Sequence, residues 1–130
     1  MTQAMATFIF LTALYSLYAG ARGVWAVART PDIAPAQAMS RQLFGAMAMF
    51  IGVLLILCAR DLPARGAIVM WEGVLRLAAG GVMVFWTRRD ITGTMSPLRP
   101  AFDLIVGAIY VVGLPIALAV SPFDLLFDHL

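Results

Sequence analysis

Four apolar runs, at positions 4–28, 43–59, 67–86 and 101–120, alternate with short clusters rich in Arg, Pro and Asp. The third run reads AIVMWEGVLRLAAGGVMVFW. As a helix rising about 1.5 Å per residue it would extend roughly 30 Å, the thickness of a bilayer's hydrocarbon core. At that depth the backbone has no water to bond, so each run predicts a helix that satisfies its own N–H and C=O groups. The expected fold is all-α: an integral membrane four-helix bundle, one domain over 1–130, with a short amphipathic C-terminal helix at 121–130. In that tail, SPFDLLFDHL, the residues Phe123, Leu126, Phe127 and Leu130 fall at i, i+3, i+4 and i+7, while Asp124 and Asp128 lie on the other side. Ser121 can cap the helix and Pro122 suits its first position. Phe123, Phe127 and Leu130 are therefore candidate docking residues, towards a partner or the bilayer surface.

Composition narrows the picture further. The chain is 62% hydrophobic and only 12% charged, outside the range of soluble globular domains, and the four runs leave no stretch long enough for one. All nine basic residues are arginine. Without lysine there is no Schiff base to form, which excludes a retinal-type chromophore and a lysine general base. The net charge of +2 is spread over the connections, with no basic stripe, so a nucleic-acid partner is not expected. Cys58 and His129 are single and far apart, and cannot make a closed zinc site or a bis-histidine haem. No cofactor is expected to be held by this chain alone; a lipid, quinone or pigment is the kind of molecule expected at its surface. The N-terminal residues carry no positive charge and the first run continues to position 28, which reads as a retained span and not as a cleaved signal.

Arginine placement predicts the orientation. The connection after the first run holds Arg29 and Arg41, with Arg22 just inside the span, and the connection after the third holds Arg88, Arg89 and Arg99. The middle connection has Arg60 and Arg65, and neither terminus has any. By the positive-inside rule the first and third connections are cytoplasmic and both termini face outward. Pro63, early in the third helix, predicts a tight antiparallel hairpin between the second and third spans.

The polar residues inside the spans are the candidate site. Glu72 is the only glutamate, and Arg76 follows it by one helical turn. Ionisable groups at such depth cost a few kcal/mol each and turn to a protein interior for partners. Read as straight helices, the spans bring Arg76, Tyr15 and Tyr110 to about the midplane, with Pro115 leaving the carbonyl of Val111 without its helical donor. Glu72, Arg76, Tyr15 and Tyr110 thus form the expected intramembrane polar cluster. Arg22 and Asp103, both near the cytoplasmic boundary, form an expected interfacial ion pair. The Glu72 and Arg76 pair reads either as a device that fixes helix orientation or as a binding or proton-handling site. One glutamate without a second carboxylate, a histidine relay or a lysine is a poor catalytic set, and no catalytic residue is assigned. Small residues at helix-packing spacing, among them Ser16 and Gly20, Ala48 and Gly52, and Gly113 and Ala117, predict close packing within the chain.

The layout, a compact four-span chain with Arg76 inside the third apolar run, resembles the small DoxX-like membrane proteins. That resemblance implies quinone-linked or accessory roles in membrane redox systems. The functional expectation is a non-enzymatic accessory or structural subunit of a larger energy-transducing membrane complex, respiratory or photosynthetic, in a bacterial cytoplasmic membrane. Its partners would be the bilayer and other membrane subunits, or further copies of itself. An oligomeric small-molecule transporter or channel, and a quinone- or lipid-handling protein using Arg76, Tyr15 and Tyr110, are the alternatives.

Overall fold

A computed structural model describes residues 1–127; Leu130, one of the expected docking residues, lies outside them. The described chain is all-helical: α1 (Thr2–Ala28), α2 (Pro35–Arg60), α3 (Leu62–Arg89), α4 (Leu98–Ala108), a π-helical turn (Ile109–Gly113), α5 (Leu114–Leu118) and α6 (Pro122–Leu126). Four helical rods are long and apolar enough to cross a membrane, the last running unbroken over Leu98–Leu118. The protein is an integral membrane protein of all-α class.

The rods outrun the apolar runs at most of their ends. α2 begins at Pro35 and not near position 43, because Pro35 supplies a preset φ at the first helical position, where its missing N–H loses no bond. Its first turns carry Gln37, Ser40, Arg41 and Gln42, which hydropathy discounts although they continue a helix well. Between α2 and α3 the expected loop shrinks to Asp61, and Pro63 lies in the first turn of α3. Arg60 closes α2, and Arg88 and Arg89 close α3, where cations offset the negative end of the helix dipole.

The chain forms two compact units: Ala6–Asp61, and Leu62–Leu130 with Met1–Met5. In the first unit α1 and α2 pack through small residues. A methyl group placed on Gly20 would meet the Gly45 carbonyl oxygen at 2.5 Å, and one on Gly52 would meet the Ala13 carbonyl oxygen at 2.9 Å. Backbone therefore touches backbone, the close approach by which helices associate where no hydrophobic force separates lipid from protein.

The second unit is built on α3. Leu62, Gly66, Val69, Gly73 and Gly80 are buried along it at alternating four- and three-residue steps, a seam that keeps one stripe facing its partner. Gly73 crosses the α4 rod at Gly107 and Tyr110: methyls at Gly73 and Gly107 would lie 2.8 Å from the Tyr110 Cβ and 2.9 Å from the Gly73 carbonyl oxygen. Gly80 meets Leu104, and Gly66 meets Leu118 and Leu125. Arg76 occupies the step of the same seam between Gly73 and Gly80, which is why a charged side chain is drawn into the packed face.

Pro115 reshapes the fourth rod. Proline cannot donate to the carbonyl one turn back and its ring crowds that carbonyl, and here the helix widens into the π turn just before it. The rod ends at Ala119, whose φ of 54° puts it in the left-handed region. Ala119 N–H donates to Ile116 O at 3.3 Å and Val120 N–H to Pro115 O at 3.1 Å, the pair of bonds by which a left-handed cap satisfies the last carbonyls. The chain then turns into α6, whose buried residue is Leu125, seated on Gly66, while the Trp71 indole N–H donates to the Leu126 carbonyl at 2.7 Å. Phe123 and Phe127, the other expected docking residues, stay exposed.

Candidate functional site

Three ionisable residues of the α3–α4 hairpin gather into one triad. Arg76 Nε lies against Glu72 Oε1, one turn earlier on α3, in an ion pair, and Arg76 Nη1 donates to Asp103 Oδ1 on α4 at 2.8 Å. The register of the hairpin makes this reach natural. Gly73 and Gly107 abut, so Asp103 stands one turn from the crossing along α4, while the long guanidinium side chain starts at the crossing itself. The triad is shielded: side-chain exposure is 8% for Glu72, 11% for Arg76 and 16% for Asp103. Glu72 Oε2 is buried and has no hydrogen-bond partner.

Of the four residues of the expected cluster, Glu72, Arg76 and Tyr110 lie in one unit and Tyr15 in the other. Glu72 and Arg76 are together. Tyr110 is fully buried in the π turn of the same hairpin, with its Cβ at Gly73. Tyr15 is half exposed on α1, in the other unit. Of the expected pair Arg22 and Asp103, Asp103 is engaged by Arg76 on the neighbouring helix of its own unit, and Arg22 is exposed on α1 in the other unit. A usable signal was present in the sequence, since the four–three stripe of α3 includes Arg76 and a sequence-adjacent antiparallel helix is its nearest source of a carboxylate.

A second polar feature went unread. After α3, Asp90 organises the connection to α4: its Oδ1 accepts the Thr92 N–H at 3.1 Å and the Thr92 hydroxyl at 2.6 Å. Its Oδ2 accepts the Met95 N–H at 2.8 Å and the Thr94 hydroxyl at 3.3 Å. Gly93, at φ 65°, supplies the left-handed step that closes the turn. The hydrogen bonds from Thr92 and Met95 hold the Asp90 carboxyl below the usual carboxylate range. This is a structural staple in a solvent-facing turn.

The ends of α1 and α3 carry another arrangement that hydropathy does not show. Arg29 lies 4.9 Å above the Trp25 ring and Arg89 lies 3.8 Å above the Phe85 ring. Trp86 packs edge-on against Phe85 at 5.4 Å. Aromatic rings with a cation stacked on them suit the membrane interface, where one face is apolar and the other wet.

Chemically, the triad places two carboxylates and one guanidinium in a water-poor crossing. It can lock the hairpin register and accept one further positive charge. Among the described residues no group of three or more His, Cys, Asp or Glu side chains is placed to hold a metal ion. Comparison of the chain with protein-family models, with curated proteins and with solved structures found no match.

Proposed function

We propose that the protein is a non-catalytic accessory subunit of a larger membrane assembly, held there by the outward faces of its spans and by the exposed Phe123 and Phe127 at α6 and its C-terminal end. The observation that carries this reading is how little of each span the chain buries for itself: between 22% and 33% of the apolar window of every span. Large side chains such as Trp25, Phe44, Phe50, Trp71 and Trp86 are exposed along the rods, as are Phe123 on α6 and Phe127 just after it. Lipid can cover such surface, and so can the helices of other subunits. The interior polar groups point the same way. Arg76, which a quinone or lipid head group would need as its cation, is already engaged by Glu72 and Asp103.

The layout shared with DoxX-like proteins is the reason for placing the assembly among energy-transducing complexes of a bacterial cytoplasmic membrane. The arginine-rich ends of α1 and α3, with their stacked rings, support an orientation with both termini on the outer side. Extraction in a mild detergent followed by native size separation tests the proposal. The chain should migrate with other membrane polypeptides and lose them when Phe123 and Phe127 are replaced by serine. A chain that runs alone, as a monomer, under the gentlest extraction would overturn it, and a defined homo-oligomer would move the reading to a transporter or channel.

A further inference from the structure

The triad is not balanced. Two carboxylates face one guanidinium, so with all three groups ionised the hairpin would hold a net negative charge in the middle of a membrane-spanning rod, where an uncompensated charge is poorly tolerated. The three contacts are also unequal. Asp103 receives a directed hydrogen bond from Arg76 Nη1 at 2.8 Å and keeps 16% exposure. Glu72 is 8% exposed and meets Arg76 through Oε1 alone, while Oε2 is buried with nothing to bond. The charged groups that bear on Glu72 are Arg76 on its own helix and Asp103 on α4. Tyr110, fully buried, has its Cβ beside Gly73, the residue after Glu72.

We propose that the Glu72, Arg76 and Asp103 triad is a binding site for one exchangeable proton, carried on Glu72 Oε2. The proton goes to Glu72 because Asp103 already accepts a charge-assisted bond from Arg76. A carboxylate oxygen without a donor gains most from neutralisation, since a buried neutral carboxyl is far easier to accommodate than a buried unpaired charge. With the proton bound, the hairpin interior is neutral: Arg76 balances Asp103 and Glu72 is an uncharged acid. The site is independent of the accessory-subunit reading, since it is complete within one hairpin and needs no partner.

The experiment uses the full chain in lipid nanodiscs and dicyclohexylcarbodiimide, an apolar reagent that modifies protonated carboxyls in water-poor surroundings. Near neutral pH the expected product is a single adduct, mapped by mass spectrometry to Glu72, that declines as the pH is raised and is absent from Glu72→Gln. Asp103→Asn is the sharper variant. It removes the surplus negative charge, so Glu72 can ionise beside Arg76, and labelling should fall by about tenfold or more. Infrared spectroscopy of the unmodified protein needs no reagent: a carboxylic C=O band should persist at neutral pH and be lost in Glu72→Gln. Absence of that band, an adduct on Asp103 in place of Glu72, or undiminished labelling in a folded Asp103→Asn chain would each overturn the proposal.

Discussion

Replacing Gly107 by alanine tests whether the glycine crossing and the ion triad are one device. The added methyl would lie 2.9 Å from the Gly73 carbonyl oxygen, 3.0 Å from Leu77 Cγ and 3.1 Å from Arg76 Cβ. Carbon makes comfortable contact at about 3.5–4.0 Å, so α3 and α4 must part by roughly half an ångström or more, because a backbone oxygen cannot turn aside. Overpacking of this kind costs about 1–3 kcal/mol. The same displacement stretches the 2.8 Å bond from Arg76 to Asp103, and hydrogen bonds to charged groups contribute about 1.5–3 kcal/mol, of which a part is lost. Alanine at Gly81, where nothing lies within 4 Å, is the control: it carries the same glycine-to-alanine helix-propensity change without the clash. Relative to Gly81→Ala, we expect Gly107→Ala to be less stable by roughly 2–4 kcal/mol. Reversible unfolding in mixed detergent micelles, followed by the fluorescence of Trp25, Trp71 and Trp86, provides the measurement. Equal midpoints for the two variants would refute the close crossing.

Further predictions follow from the same contacts. Arg76→Met strands the Asp103 carboxylate beside the buried Glu72 carboxyl and should cost about 3–5 kcal/mol, whereas replacing Glu72, Arg76 and Asp103 together by apolar residues should be much milder; an additive series in the same unfolding assay would argue against a coupled triad. Ala119→Gly relieves a left-handed alanine and should stabilise the chain by about 0.5–1 kcal/mol, and a loss of stability would speak against this cap. Because the Asp90 carboxyl is held below its ordinary value, its contribution to the turn is present above the unfolded carboxylate range and is lost as pH falls through the lowered value. Amide exchange at Thr92 and Met95 should therefore show extra opening as pH falls through that range, beyond the intrinsic pH dependence of exchange, and Asp90→Asn should abolish this added pH dependence. Cysteines introduced at Thr2 and Thr94, in a Cys58→Ala background, should label from the outer and inner sides respectively; labelling of Thr94 in intact cells would reverse the orientation.

The all-α class and the existence of four spans were legible in the sequence because bilayer thickness imposes a length on every apolar run, and the backbone in lipid has little choice but helix. The pairing of Glu72 with Arg76 was legible for a related reason: their spacing places them on one face of a single helix, so no knowledge of neighbours is needed. Helix ends were less visible, since hydropathy falls away at the interface while hydrogen bonding continues, as at Pro35, Leu62 and Leu98. The partner of Asp103 was decided only by the tertiary structure. It depends on the register at which α3 meets α4, set by the contact of Gly73 with Gly107, and a shift of one turn along a helix moves a side chain by about 5.4 Å, more than a hydrogen bond spans. The exposure of Tyr15, the burial of Leu125 against Gly66 and the absence of a partner for Glu72 Oε2 belong to the same level. Spacing along a chain specifies which residues share a face, whereas what that face meets is a property of the packed molecule.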